Sequence, residues 1–517
     1  MTPDRGAANL VAIVEREATE TGERVFLVDP DFNRTTVANF EIRARQAAAF
    51  LQSLGVGRGD RVCTICNNCT EYFVATFGAW RIGAIAVPLN PDQRGAILAQ
   101  MIGDAEPAVI LHDDDGQRAL DSLPEGVARP PAASLDRLGD ADPAETPPAS
   151  YDPVSPALIL YSSGTTGVSK GCVLSHEYMV WAGEEFCRAG SLTPADSVYT
   201  SGPFYHINAW WAFAGSVVGG LTHTFEVRFS ASRFWDRAAA AGATIFDYVG
   251  VMVAIMLRRE EGPGPACRLR AGLGGAARPD EVEAFRARFG VALLECYGLT
   301  ECCLPIFQRE HEFRTGSIGL LSEFFEARLV DDHGADVPEG GMGELWLKPK
   351  ERRVIFSGYW RRPDLTEAAF RDGWFRTGDM CRRDAEGYYY YLDRKRHFIR
   401  RRGENISPFE VEGVIFDHPA VANCAIIGVP AELGEEDVLL AVQPKEGMAI
   451  DPAALVDWCR ERLADHLVPR YVRVMRLPLT PSERVEKQKL RDAGVTPDTY
   501  DAGTGRSANV SNRKGTA

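Results

Sequence analysis

Between residues 36 and 111 the sequence switches repeatedly between two periodicities, and that alternation limits the folds open to it. "NFEIRARQAAAFLQSLGV" has helical spacing and a Gly stop, "DRVCTIC" reads as a strand, "EYFVATFGAWRIG" as a helix, and "AIAVPL" as a strand. "PAVILH" reads as another strand after a helix around residues 96–101. Strands spaced by helices imply a parallel, doubly wound sheet, so the predicted class is α/β. More apolar strands follow at "ALILYSSGTTG", "DSVYTSG", "ATIFDYVG", "RLRAGLGGA" and "ALLECYG", each ending in a glycine-containing turn. Sheets of this kind bind ligands beyond the carboxyl ends of their strands, so these turns are predicted to line one crevice.

A chain of 517 residues is too long for one hydrophobic core. The texture changes between 313 and 393 to short strands and turns, as in "FEARLVDDHGADVPEGGMGELWLK", which predicts a small β-rich subdomain. Residues from about 407 to 490 read as a compact α+β unit with helices "PFEVEGVIFDH" and "PAALVDWCRERLADH". The division expected is a large N-terminal domain over 1–392, a hinge over 393–397, an α+β domain over 398–495 and a disordered tail over 496–517. The Pro- and Ala-rich stretch 125–156 reads as a surface excursion.

The formal net charge of -15 argues against nucleic acid as a partner, although it leaves room for a nucleotide in a local pocket. "MTPDRGAANLVAIVERE" has neither a basic n-region nor a long apolar h-region, and no apolar run is long enough to span a bilayer. A cytoplasmic protein without a membrane partner is expected, with a homodimer left open. Cys63, Cys66 and Cys69 are spaced like iron–sulfur ligands, but a fourth nearby Cys followed by Pro is absent. They read as small apolar fillers.

"YSSGTTGVSKG", residues 161–171, resembles a phosphate-binding loop, yet Gly171 follows Lys170 where a Walker loop places a Mg²⁺-binding hydroxyl. Further on stand "GGAARP" at 274–279, "YGLTE" at 297–301, "RTGD" at 376–379 and "RRRGENISPFEVE" at 400–412. Together and in this order these motifs resemble the adenylate-forming superfamily of acyl-CoA synthetases, nonribosomal peptide synthetase adenylation domains and firefly luciferase. "GENISPFEVE" and "YVGVMVAIML" look most like carnitine/crotonobetaine-type and medium-chain acyl-CoA ligases.

The resemblance implies an ATP-dependent reaction in which a carboxylate attacks the α-phosphate, releases pyrophosphate and forms an acyl adenylate. Hydroxyls, backbone N–H groups and a cation stabilise the charge that gathers on phosphate oxygens. Ser162, Ser163, Thr165, Thr166 and Lys170 would supply them, while Gly164 and Gly167 let backbone approach the triphosphate. Gly274, Gly275 and Ala276 would line the adenine and Tyr297 stack on it, with Glu295 and Gly298 in the same nucleotide set. Thr300 would contact the α-phosphate, Glu301 hold Mg²⁺, and Asp379 with Arg394 bind the ribose.

His206, in "PFYHINAW", matches the aromatic-His motif expected to flank the carboxylate and gate a thiol tunnel. Ile207, Asn208, Trp211, Tyr248, Gly250, Cys302 and Cys303 are the candidates for the acid pocket. The bulk of Trp211 and Tyr248 suggests a short or aromatic acid. The small C-terminal domain is expected to be mobile, pivoting at Arg396, with Arg400 and Gly403 on the face that admits coenzyme A.

One departure stands out in "LTPSERVEKQKLR", where Glu483-Arg484 occupies the place of the family's Gly-Lys. Arg keeps the charge but not the shape of an ammonium. Either Arg484 substitutes for the adenylation lysine, or Lys487 or Lys489 reaches in, or the acid is unusual. The leading reading is an AMP-forming acyl-CoA ligase. The others are adenylation with a different acceptor, including diazotisation of an aromatic amine with nitrite in secondary metabolism, and a nucleotide-binding pseudo-enzyme.

Overall fold

The computed structural model describes residues 9–127, 129–143, 152–162, 170–395, 398–401, 404–406, 408–431, 436–463, 465, 467–479 and 485–508. The chain divides into two compact units. The first comprises Met1–Ala327, Leu347–Phe375 and Gly387–Tyr389, and the second Arg328–Trp346, Arg376–Glu386 and Tyr390–Ala517. This division assigns segments upstream of 393 to the second unit, so the boundary is not a single cut at 392.

The first unit carries the α/β architecture expected from the alternating pattern. A nine-stranded sheet runs in the order Leu320–Leu321, Cys302–Phe307, Ala292–Leu299, Ala271–Gly275, Ile245–Val249, Ser197–Thr200, Thr222–Phe225, Val25–Val28 and Arg34–Thr36. Its interior pairs are parallel and its edges antiparallel. A seven-stranded sheet runs Gly358–Tyr359, Lys170–Ser175, Pro156–Ser162, Ile85–Leu89, Arg61–Ile65, Val109–His112 and Ala132–Ser134. Every residue of Ile85–Leu89 is buried, as a strand covered on both faces requires.

The helices Thr70–Arg81 and Ile207–Gly219 are buried over most of their circumference, which marks them as interior helices. Phe73 and Phe213 stack at 4.3 Å and 15°, and Phe204 meets Phe73 edge-on at 4.5 Å. That cluster fixes the segment just before His206. Asn68 adds polar anchors, donating to the carbonyls of Gly202 and Glu226 at 2.8 Å each and accepting from the Phe204 N–H at 3.1 Å.

The second unit holds a five-stranded sheet in the order Val421–Pro430, Glu436–Pro444, Tyr471–Val474, Tyr500–Asp501 and Arg506–Ser507. Val411 and Ile415 of the helix Pro408–Phe416 pack with Leu455, Val456 and Cys459 of the helix Pro452–Arg460 against Ile426, Leu440 and Val472.

Two expectations need correction. Residues 125–156 are not wholly a surface excursion, because Ala132–Ser134 adds to the seven-stranded sheet beside Val109–His112, and Leu135 and Leu138 are buried. Nor does a disordered tail begin at 496. Tyr500 and Asp501 pair with Val472 and Tyr471, Thr499 is fully buried, and Asp501 accepts the Gly503 N–H at 2.8 Å to close a hairpin. The polar, glycine-rich composition there serves a tight turn.

Candidate functional site

The phosphate loop is held by a hairpin. Pro156–Ser162 pairs antiparallel with Lys170–Ser175, placing Ser162 opposite Lys170. Ser163, Gly164, Thr165, Thr166 and Gly167 lie outside the described residues. Lys170 directs its ammonium over the ring of Tyr359, 5.2 Å from the centroid. A Cβ on Gly171 would stand 2.8 Å from Ile159 Cγ2 and 3.2 Å from Trp360 Cβ, so packing excludes a side chain where a Walker loop needs a hydroxyl.

The candidate adenine floor rests on one rung of the large sheet. Tyr248, Gly274 and Glu295 are register partners on three adjacent parallel strands. A Cβ on Gly274 would lie 2.0 Å from the Tyr248 carbonyl oxygen and 2.8 Å from its ring carbon Cγ. With no side chain between them, the Tyr248 hydroxyl reaches Glu295 Oε1 at 2.7 Å. The same carboxyl accepts the Ala276 N–H at 3.1 Å and the Ala277 N–H at 3.3 Å, bracing a turn in which Ala276 has φ 67°. Burial pushes Glu295 up to about 7, against the hydrogen bonds from Tyr248, Ala277 and Ala276. Glu295 therefore shapes the nucleotide turn from behind. Gly250 opens the helix Gly250–Leu257 and abuts this turn, since a Cβ there would meet the Ala276 carbonyl at 1.7 Å.

Tyr297 and Gly298 close the strand Ala292–Leu299, and Thr300 and Glu301 form the turn into Cys302–Phe307. The Thr300 carbonyl accepts the Tyr178 hydroxyl at 3.0 Å, and the Glu301 carbonyl accepts the Phe356 N–H at 2.7 Å. Glu301 Oε1 accepts the Tyr359 hydroxyl at 2.7 Å.

Around the candidate acid pocket the helix Ile207–Gly219 groups Ile207, Asn208 and Trp211, with His206 exposed at its N-cap. Trp211 is 6% exposed, and its ring tip Cη2 stands 2.4 Å from where a Cβ on Gly298 would be. Asn208 Nδ2 donates to Asp247 Oδ2 at 3.2 Å. Burial pushes that aspartate, 2% exposed, up to about 7. Tyr248, Cys302 and Cys303 have no exposed surface, so Tyr248 acts as a pillar of the floor more than as a wall.

In the second unit Asp379, 1% exposed, lies 2.8 Å from Arg394 Nε. Arg394 also donates to the Thr377 carbonyl at 3.2 Å. The two residues assigned to ribose are thus neighbours. Arg400 sits in the strand Ile399–Arg401, paired with Asn405, while Arg396, Gly403 and Arg484 lie outside the described residues. Beside the expected hinge, Lys395 pairs with Glu344 at 2.9 Å and Asp332 at 3.0 Å.

Lys487, offered as a stand-in for the missing lysine, is committed elsewhere. Its side chain is 13% exposed, and its ammonium lies 2.8 Å from Glu412 and 3.4 Å from Asp393 within the same unit. Lys489 is exposed and pairs with Glu486. Sequence reasoning missed Tyr359 and Asp247. The run "SGYWRRPDLTEAAF", with Gly358 at φ 120°, held a signal for the first.

The family profile described as AMP-binding enzyme matches residues 14–360, and the AMP-binding enzyme C-terminal domain matches residues 410–484. The chain belongs to the AMP-binding enzyme family. This AMP-binding enzyme is 32% identical over 497 residues to a sulfoacetate–CoA ligase of Cupriavidus necator, covering 93% of this chain and 97% of the relative. It is 28% identical over 484 residues to a crotonobetaine/carnitine–CoA ligase of Escherichia coli, covering 89% and 93%. The structure of ATP-bound MatB from Rhodopseudomonas palustris superposes with a TM-score of 0.85 at 27% identity, covering 94% of this chain and 98% of that one. Both of these relatives are named as CoA ligases. Among the described residues no helix is long and apolar enough to cross a membrane.

Two predictions follow from this geometry. The fold holds Glu295 above its ordinary 4.5, so its contribution is whole below that pH and is lost as the pH rises through about 7. The thermal midpoint of the wild type should therefore fall relative to Glu295→Gln across that window, whereas a constant difference would refute the burial argument. Lys487→Met removes the ammonium from between the Glu412 and Asp393 carboxylates and should cost about 3–5 kcal/mol in denaturant unfolding. A fully stable variant that loses only adenylation would return Lys487 to the reaction.

Proposed function

We propose that this enzyme joins a short carboxylic acid to the thiol of coenzyme A through an acyl adenylate. A carboxylate oxygen attacks the α-phosphorus of ATP, the bond to the β-phosphate bridging oxygen breaks, and pyrophosphate leaves. The thiol then gives up its proton as sulfur attacks the acyl carbon, a thioester forms, and AMP leaves with the bonding pair. The packing of Trp211 against Gly298 carries the size argument, because the indole occupies depth that an extended acyl chain would need. The sulfoacetate named for the Cupriavidus relative is likewise short.

In this reading the loop 162–170 grips the departing pyrophosphate, with Lys170 at its exit. Gly274, Gly275 and Ala276 border the adenine with Tyr297 against it, Thr300 meets the α-phosphate, and Asp379 with Arg394 takes the ribose. His206 guards the thiol path and Gly403, with Arg400 nearby, lets pantetheine pass after the C-terminal domain over 398–495 pivots at Arg396. The commitment of Lys487 to Glu412 and Asp393 favours Arg484 as the cation between substrate carboxylate and α-phosphate.

Glu301 is suited to Mg²⁺. Among the described residues no three His, Cys, Asp or Glu side chains gather on one point, and a lone carboxylate beside substrate phosphates is the mode this ion prefers. When bound it would screen the charge on the phosphate oxygens.

Pyrophosphate release from ATP with short, long-chain and aromatic acids, each with and without coenzyme A, tests the assignment. Short acids should give pyrophosphate and then thioester. Pyrophosphate without thioester would overturn the acceptor, and a preference for long chains would overturn the size argument. Trp211→Ala should shift kcat/KM toward longer acids by about tenfold or more, in line with ~1–3 kcal/mol per methylene accommodated.

A further inference from the structure

Tyr359 belongs to none of the motifs that the sequence brought forward, yet it touches two of them. The segment around it is stitched to both the strand leaving the phosphate loop and the turn carrying Glu301. Gly358 and Tyr359 pair antiparallel with Val173 and Cys172. The Trp360 N–H donates to the Gly171 carbonyl at 2.7 Å and the Ser357 N–H to Val173 at 2.8 Å. On the other side the Phe356 N–H donates to the Glu301 carbonyl at 2.7 Å, and Ile355 bridges Cys302.

The side chain is equally constrained. Thr366 Oγ1 accepts the Tyr359 N–H at 2.9 Å, and the Phe356 ring meets the Tyr359 ring edge-on at 5.0 Å. So fixed, the phenol donates to Glu301 Oε1 at 2.7 Å while its face receives the Lys170 ammonium at 5.2 Å. An acid and a cation are thus served by one ring, and among the described residues they form no ion pair with each other. A phenol is well suited to this, because its hydroxyl donates to the carboxylate without neutralising it, and its ring attracts the ammonium without a charge of its own.

We propose that Tyr359 is a positioning residue for adenylation, aiming the Glu301 carboxylate at the cation of Mg·ATP and holding Lys170 apart from it at the mouth of the phosphate loop. The proposal rests on the roles given above to Glu301 and Lys170. Outer partners that orient a metal-binding carboxylate typically change metal affinity tenfold or more when removed.

The two functions of the ring separate by substitution. Tyr359→Phe keeps the face and removes the hydroxyl, and Tyr359→Leu removes both. The readouts are the calorimetric Kd of ATP with and without Mg²⁺, and kcat against KM for ATP in pyrophosphate release. Tyr359→Phe should weaken Mg·ATP binding about tenfold and lower kcat while leaving metal-free ATP binding and the thermal midpoint unchanged. Tyr359→Leu should also weaken metal-free ATP. A Tyr359→Phe enzyme with wild-type Mg²⁺ response, or one weakened equally with and without the metal, overturns the inference. Glu301→Gln separates the two levels. If it too keeps the wild-type Mg²⁺ response, the metal role of Glu301 falls, whereas loss of that response in Glu301→Gln alone removes only Tyr359.

Discussion

The crevice end of the large sheet depends on one buried carboxyl. Glu295 takes the Tyr248 hydroxyl and the N–H groups of Ala276 and Ala277, and without it two backbone donors at a left-handed turn would lose their side-chain acceptor. The rung Tyr248, Gly274, Glu295 also sets register, because a one-residue slip of the strand bearing Tyr248 or of the strand bearing Glu295 would turn that side chain to the opposite face of the sheet. The strand that carries Glu295 continues to Thr300 and Glu301. A single interaction thereby fixes the spacing between the turn assigned to adenine and the one assigned to phosphate.

How much of this was legible follows from the range of the interactions. The parallel strands were readable because covered strands are apolar throughout and end at glycines, as in "ALILYSSG" and "AGLGG". The Asp379–Arg394 neighbourhood came from the family resemblance, and pairing of the strands Trp374–Arg383 and Tyr389–Arg394 accompanies it. The role of Tyr359 went unread because it meets Glu301 across 58 positions of chain, and no local period reports such a contact. Leu135 and Leu138 were hidden by the prolines and alanines around them, whose composition suggested surface while two leucines sufficed to anchor the segment. Lys487 illustrates the opposite case. A lysine near a missing lysine is an inviting substitute, but its environment is set by Glu412 and Asp393, which lie far away in sequence.

The two units use charge differently. In the first, Lys170 and Glu301 are kept from each other by an aromatic ring, so both remain able to meet a ligand. In the second, Lys395 and Lys487 are bound to carboxylates on either side of Arg394 and the expected pivot. Buried ion pairs contribute little net stability but penalise any arrangement that breaks them. Held at Lys395 and Asp393, the chain around Arg394 is restricted to few conformations.

The contact between Trp211 and Gly298 also orders the routes by which such a pocket can change through descent. Loss of the indole opens the pocket in one step and at once frees position 298 to acquire a side chain. Once it has, the tryptophan can no longer be regained directly, because a Cβ there would stand 2.4 Å from its ring. Widening is therefore a single event, whereas narrowing back requires glycine first and tryptophan second. The pair works as a ratchet.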